Sequence, residues 1–85
     1  MAKSTNSSPY SLDRPACYEI KVSGRLSESW LDYFGGMAVE IETGPDNCPI
    51  SVLRGKVPDQ AALQGMLQHL YSLGMPLLAV AQIKE

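Results

Sequence analysis

The strongest constraint on this chain is an order of elements that occurs twice, in which a strand leads into a helix and then into another strand. Residues 18–26 alternate apolar and polar side chains without a break, which is typical of a half-buried strand. Ser27 is a suitable N-cap for a short helix that ends at residues 35–36, where two glycines follow each other. Residues 37–41 alternate again and predict a second strand.

The second half repeats this order with a longer helix. Residues 50–57 predict a third strand, but their alternation slips at residues 52–53, so either a bulge lies there or both faces are covered. A helix opens at residues 58–59 and ends at Gly74, a suitable C′ residue. Residues 77–83 predict a last strand that is apolar on both faces, as expected of a buried strand. The apolar stripe of the helix consists of Leu63, Met66, Leu67, Leu70 and Leu73.

The order β-α-β-β-α-β predicts a ferredoxin-like α+β fold, with a four-stranded antiparallel sheet and both helices on one face. Each half also contains the pattern apolar, any, Gly, basic, apolar, cap, acid, which supports a duplication. This plan puts Gly24 and Gly55 on adjacent central strands, where a missing side chain lets a helix approach closely. Residues 1–15 are rich in Ser, Thr, Asn and Pro and are expected to be a flexible tail, and residues 16–85 form a single domain.

Length, charge and hydropathy exclude several classes of protein. At 85 residues the chain has room for one small domain. A formal charge of −2 argues against a nucleic-acid or anionic-membrane binder, which would normally be basic. The apolar run at residues 75–81 is far shorter than the ~20 residues of a membrane span. Residues 1–9 lack the apolar segment of a signal peptide, so we expect a cytoplasmic protein.

The residues that could carry chemistry do not form a catalytic or metal-binding motif. His69 lies inside the long helix, where a general base would need a nearby acid or nucleophile and the helix supplies only glutamines, Ser72 and Tyr71. Cys17 and Cys48 lack the spacing of a zinc module. We therefore predict no catalytic residue, no metal site and no cofactor. If the first and third strands are parallel neighbours, these cysteines lie near both strand starts, and a redox-dependent disulfide is a hypothesis; unbridged thiols are the alternative.

Two groups of residues are candidates for binding. Arg25 and Lys56 each precede a predicted helix start, so together with Gly24 and Gly55 they are candidates for an anion or small-ligand site. Cross-strand charge pairing is the alternative explanation for the charged residues of the sheet. The outer face of the long helix is small and uncharged, which suits contact with another helix. The candidate interface residues are Ala61, Gln64, Gly65, Gln68 and Ser72.

Residues 57–80, VPDQAALQGMLQHLYSLGMPLLAV, resemble a recurrent block in a family of short uncharacterised bacterial proteins. The shared pattern is D-Q-A-A-L-x-G-x-L followed by L-G-x-P-L-L-x-V, and residues 18–37 resemble the opening of the same family. The resemblance implies no activity, cofactor or site residue. We expect a non-enzymatic interaction module that acts as a homodimer or with a protein partner. A small-ligand-binding regulatory domain, resembling the ACT type, is the alternative.

Overall fold

The computed structural model describes residues 13–27 and 37–83, which form four strands and one α-helix. The strands are β1 (Ala16–Ser23), β2 (Ala38–Thr43), β3 (Pro49–Val57) and β4 (Leu77–Ile83). The helix is α1 (Gln60–Ser72), and a short 3₁₀ turn at Pro45–Asn47 joins β2 to β3. The predicted first helix falls in residues 28–36, which lie outside the described residues.

The four strands form one antiparallel sheet in the order β2-β3-β1-β4. The central strands are β1 and β3, and the edges are β2 and β4. The predicted α+β class and the four-stranded antiparallel sheet are therefore confirmed. The ferredoxin-like plan also requires a helix between β1 and β2, in the segment that is not described.

The core lies on one face of the sheet, and α1 packs against it. Tyr18, Ile20 and Val22 of β1 alternate with more exposed residues, so all three side chains share this face. Leu63 and Leu70 of α1 are about two helical turns apart and point to the same side. The buried cluster is completed by Leu26, Met37, Leu53 and Val57.

The irregular pattern of β3 results from burial on both faces. Ser51, Val52 and Leu53 are three successive residues that are all 0% exposed, so both faces are covered at this point. The register of β3 is unbroken against β1 and against β2, which excludes a bulge in β3. The register shift in the described sheet lies instead between β1 and β4, at Lys21 and Val22.

β1 is shorter than its alternating pattern predicts. The pattern continues to Leu26, but β1 ends at Ser23 because Gly24 has a φ of +113°, a conformation that favours glycine. Gly24 makes an isolated bridge to Ile50 and lies just past β1. The prediction that Gly24 lies on a central strand is therefore wrong.

The buried hydroxyl of Ser51 holds the chain where it leaves β1. Ser51 Oγ donates a hydrogen bond to the carbonyl oxygen of Gly24 at 2.7 Å and accepts one from the N–H of Leu26 at 2.8 Å. A buried backbone group without such a partner costs about 1–3 kcal/mol. Ser51 therefore keeps Leu26 in the core although Leu26 follows the end of the strand.

Gly55 makes room for the chain where it enters β2. A Cβ atom at Gly55 would lie 3.0 Å from both Cα and Cγ of Met37, closer than most Cβ contacts in proteins. The sequence predicted a close approach at this glycine, but by a helix. The group that approaches it is Met37, the residue before β2.

Both ends of α1 are capped in the segments where the sequence predicts that the helix begins and ends, but the N-cap is Asp59, whereas the repeated pattern puts the cap at Pro58. Asp59 Oδ1 accepts a hydrogen bond from the N–H of Ala62 at 2.8 Å, which satisfies one amide of the first turn. Gly74 has a φ of +79°, and its N–H donates to the carbonyl oxygen of Tyr71 at 2.9 Å. This left-handed glycine ends the helix and turns the chain toward β4.

Ser51→Ala is expected to lower the free energy of unfolding by about 1–3 kcal/mol, because the buried N–H of Leu26 loses its acceptor. Ser72→Ala is the matched control, since the Ser72 hydroxyl donates to the Gln68 carbonyl on the exposed surface of α1. The control is expected to change stability by less than about 0.5 kcal/mol. Urea unfolding followed by circular dichroism measures both, and equal effects would contradict the role assigned to Ser51.

Gly55→Ala is expected to destabilise the fold by about 1–3 kcal/mol, because the new Cβ presses on Met37. The matched control is Gly65→Ala on α1, where a Cβ would meet nothing within 4 Å. Alanine is the better helix former, so this control is expected to stabilise by about 0.5–1 kcal/mol. Thermal unfolding measures both variants. An unchanged midpoint for Gly55→Ala would show that Met37 is not held against Gly55.

Candidate functional site

β4 is an edge strand whose apolar side chains lie at the surface. Leu77, Leu78 and Val80 are 52%, 51% and 37% exposed, and every residue of β4 except Ile83 is classed as exposed. Within the described part of the chain, β4 pairs with β1 alone. The prediction of a strand at residues 77–83 is confirmed, but the prediction that it is buried is wrong.

The two edges of the sheet differ in charge. β2 has the sequence AVEIET and carries Glu40 and Glu42, whereas β4 has the sequence LLAVAQI, with no charged residue and no proline. Sheets usually protect an exposed edge with charges, prolines or bulges, because its unpaired backbone groups can pair with another chain. The irregularity in β4 lies near its start, opposite Lys21 and Val22. Most of β4 therefore lacks the features that normally prevent strand pairing.

Arg54 is the centre of an ion cluster on the face of the sheet opposite α1. Arg54 Nε lies 2.6 Å from Glu19 Oε2, and Arg54 Nη1 lies 3.1 Å from Glu40 Oε1, so the cluster joins β1, β3 and β2. These hydrogen bonds, the one to Glu19 first, raise the pKa of Arg54 above its usual value. Cross-strand pairing thus accounts for these charges, and exposed pairs of this kind contribute little to stability.

The four residues of the predicted anion or small-ligand site do not come together. Gly24 and Arg25 follow the end of β1, whereas Gly55 and Lys56 lie opposite its start, next to Tyr18. The separation along the sheet is about 20 Å at about 3.3 Å per residue. The prediction took corresponding positions of the two halves as neighbours, but the antiparallel pairing of β1 with β3 places them at opposite ends.

Neither end of α1 provides the predicted anion site. A surface cavity of about 370 Å³ lies beside Gly24 and Arg25 and is lined on its other side by Leu73 and Gly74. This is the C-terminal end of α1, where the helix dipole disfavours an anion. At the N-terminal end, the carboxylate of Asp59 already accepts a hydrogen bond from the first turn.

Cys17 and Cys48 lie too far apart to bond to each other within one chain. Cys17 is on β1 opposite Lys56, whereas Cys48 precedes β3 at the other end of this strand pair. The separation along the strands is about 26 Å at about 3.3 Å per residue, and a disulfide requires Cα atoms within about 7 Å. The disulfide hypothesis assumed parallel strands, and the antiparallel pairing shows that it is wrong.

The remaining chemistry-bearing residues give no assembled centre in the part of the chain that the structure describes. His69 is half-buried on α1. Among residues 13–27 and 37–83, no three His, Cys, Asp or Glu side chains are grouped so that they could hold a metal ion. Over the same residues, no helix combines the length and the hydropathy needed to cross a membrane.

The candidate interface on α1 is exposed, as its helical spacing predicts. Gly65 is surrounded by open space. Sequence reasoning missed Tyr71, which is 77% exposed beside this stripe, and it missed the exposure of β4. For Tyr71 the signal was its helical spacing from Gln64 and Gln68. The exposed residues of the predicted interface are Ala61, Gln64, Gly65, Gln68 and Ser72.

Comparison with known proteins supplies a family but no activity. No curated protein and no solved structure matches the chain. A family model described as a domain of unknown function, DUF8691, matches residues 17–81, which include both central strands, α1 and most of β4. The chain therefore belongs to the DUF8691 family, a family of unknown function.

Proposed function

We propose that this domain is a non-enzymatic protein-interaction module whose contact surface is the edge strand β4. The observation that carries the proposal is that β4 is both exposed and uncharged, with Leu77, Leu78 and Val80 at the surface. A partner strand added at this edge would pair with the outward backbone groups of β4 and cover its apolar side chains.

Backbone pairing and apolar burial would both contribute to such a contact. Each hydrogen bond between strands contributes about 0.5–1.5 kcal/mol net, and apolar burial contributes about 25 cal/mol per Å². Association costs about 4–15 kcal/mol in lost translational and rotational freedom. Because neither contribution is large for one short strand, a stable contact needs both, and β4 offers both.

The small size of the domain gives an independent reason for association. A chain of 85 residues buries a smaller share of its surface than a larger domain does, so its stability alone is marginal. A partner that covers β4 would extend the apolar core at this edge of the sheet, where α1 leaves the side chains of β4 exposed.

We also propose that the domain as a whole has the ferredoxin-like plan. The repeated strand-helix-strand pattern of the sequence supports this assignment. In that arrangement both helices would cover the face of the sheet that carries Ile20 and Leu53, and β4 would remain at the edge.

The outer stripe of α1 is a second candidate contact surface for the same function. Its five predicted residues are uncharged and exposed, and Tyr71 lies beside them. The stripe is on the side of α1 that faces away from the core. A substitution at Gly65 can therefore test it separately from β4.

Val80→Lys is expected to abolish the interaction without unfolding the domain. Val80 is partly exposed and lies outside the buried cluster, and a lysine on an edge strand opposes strand addition. The measurement is capture by tagged wild-type or variant chain in a lysate of the native host. Retained proteins, including untagged copies of this chain, are quantified by mass spectrometry. With Val80→Lys, the retained amount of at least one protein is expected to fall by about tenfold or more, equivalent to about 1.4 kcal/mol of binding free energy.

Ile41→Lys is the matched control, because Ile41 is 39% exposed and lies on the opposite edge strand, β2. Gly65→Arg tests the stripe on α1. Both variants are expected to capture the same proteins as the wild type, with unchanged circular dichroism spectra. If Val80→Lys also captures the wild-type set, β4 is not the contact surface. If Gly65→Arg alone fails to capture the wild-type set, the stripe on α1 is the contact surface instead.

A further inference from the structure

We infer that the partner strand at β4 is the β4 strand of a second copy of this chain, paired antiparallel about a two-fold axis at Val80. The inference rests on the proposed function and specifies its partner. Val80 would lie opposite Val80 of the second copy, and Ala79 would lie opposite Ala81 of the second copy.

The length of β4 favours this centre. In an antiparallel pair, two opposite residues direct their backbone N–H and C=O groups either both toward the other strand or both away from it. Successive residues of one strand alternate between these two orientations. A two-fold pair of identical strands must therefore be centred on a residue and not between two residues. Centring on Val80 pairs the whole of Leu77–Ile83, whereas a centre one residue away pairs only residues 77–81 or 79–83. The register shift against β1 lies near Leu77 and Leu78, so residues 79–81 at the proposed centre are regular.

The sequence of β4 is nearly symmetric about Val80. An alanine stands on each side of Val80, and a branched aliphatic residue, Leu77 or Ile83, stands at each end. A two-fold contact requires a surface that is complementary to itself. The symmetric order of small and large side chains meets this requirement when each alanine faces the alanine of the other copy.

Val80 also continues an apolar row that crosses the sheet. Val39 lies opposite Leu53, Leu53 lies opposite Ile20, and Ile20 lies opposite Val80. Leu53 and Ile20 are fully buried, whereas Val80 at the end of the row is partly exposed. Pairing at Val80 would join this row to the same row of the second copy and bury its exposed end.

Charge favours self-pairing at β4 over self-pairing at β2. Two β2 strands centred on Ile41 would place Glu40 opposite Glu42 of the second copy in two places, and like charges opposite each other are destabilising. Each chain also carries a formal charge of −2. Since β4 contains no charged residue, its self-pairing brings no like charges together within the strand.

The resulting dimer would contain one continuous sheet in the order β2-β3-β1-β4-β4-β1-β3-β2. A two-fold axis between antiparallel edges stands perpendicular to the sheet, so α1 of both copies would lie on the same face. The exposed apolar side chains of both β4 strands would lie at the centre of the dimer, and the acidic β2 strands would form its outer edges.

Cysteine cross-linking tests the register directly. On a background of Cys17→Ser and Cys48→Ser, Val80→Cys is expected to form an intermolecular disulfide under mild oxidation. Opposed residues of antiparallel strands have Cα atoms about 4.5–5.5 Å apart, within the range of a disulfide. Non-reducing electrophoresis is expected to show most of the variant at twice the chain mass of 9.2 kDa.

Leu78→Cys and Gln82→Cys are the matched controls on the same background. In the proposed register each of these residues lies about 13 Å from its equivalent in the second copy, so neither variant is expected to cross-link alone. An equimolar mixture of the two is expected to cross-link, because Leu78 lies opposite Gln82 of the second copy. Efficient cross-linking of Leu78→Cys alone would contradict the register.

Light scattering of the wild-type chain over a range of concentrations separates failure of this inference from failure of the proposed function. A dimer that cross-links at Val80 supports both. A dimer that cross-links only at other positions overturns the inference, and so does a monomer at every concentration. In either case the proposed function stands if Val80→Lys still reduces the capture of proteins from the lysate. Capture that is indifferent to Val80→Lys overturns both.

Discussion

The antiparallel pairing of β1 with β3 determines where every other part of the described molecule lies. This pairing runs without a break from Ala16 opposite Val57 to Ser23 opposite Ile50. It places the clustered buried side chains of both strands, such as Ile20 and Leu53, on the face where α1 packs, and it brings Arg54 beside Glu19 on the other face. Since β1 and β3 occupy the centre, β2 and β4 are left as edges. The edge position of β4 is thus a direct result of the central pairing.

The elements that depend on neighbouring residues could be predicted from the sequence. The bounds of β4 and the Gly74 end of α1 agree with the prediction because period and helix-ending chemistry are local properties. The position of a strand within the sheet is not a local property. An apolar strand such as β4 fits a buried centre and an uncovered edge equally well, and alternation alone does not distinguish them. The end of β1 at Gly24 likewise depends on distant partners, Ser51 and Pro49.

The candidate sites also divide into those that could be predicted from the sequence and those that could not. The exposed stripe on α1 could be predicted because helical spacing decides which residues share a face. The anion site and the disulfide both required knowledge of the direction of β3 relative to β1. Gly24 and Gly55 occupy corresponding positions in two similar halves, and in antiparallel strands corresponding positions lie at opposite ends. The repeat therefore indicated the order of the elements that the structure describes, but not the distances between their residues.

Pairing of β4 with the β4 strand of a second copy would slow the exchange of its outward backbone amides, so hydrogen–deuterium exchange at low and high protein concentration can detect this pairing. Outward amides of an unpaired edge exchange quickly, whereas amides bonded to another strand are protected. Protection of residues 77–83 is expected to rise with protein concentration while protection of β2 stays constant. Exchange in β4 that is independent of concentration, or protection that rises in β2 instead, would rule out this pairing.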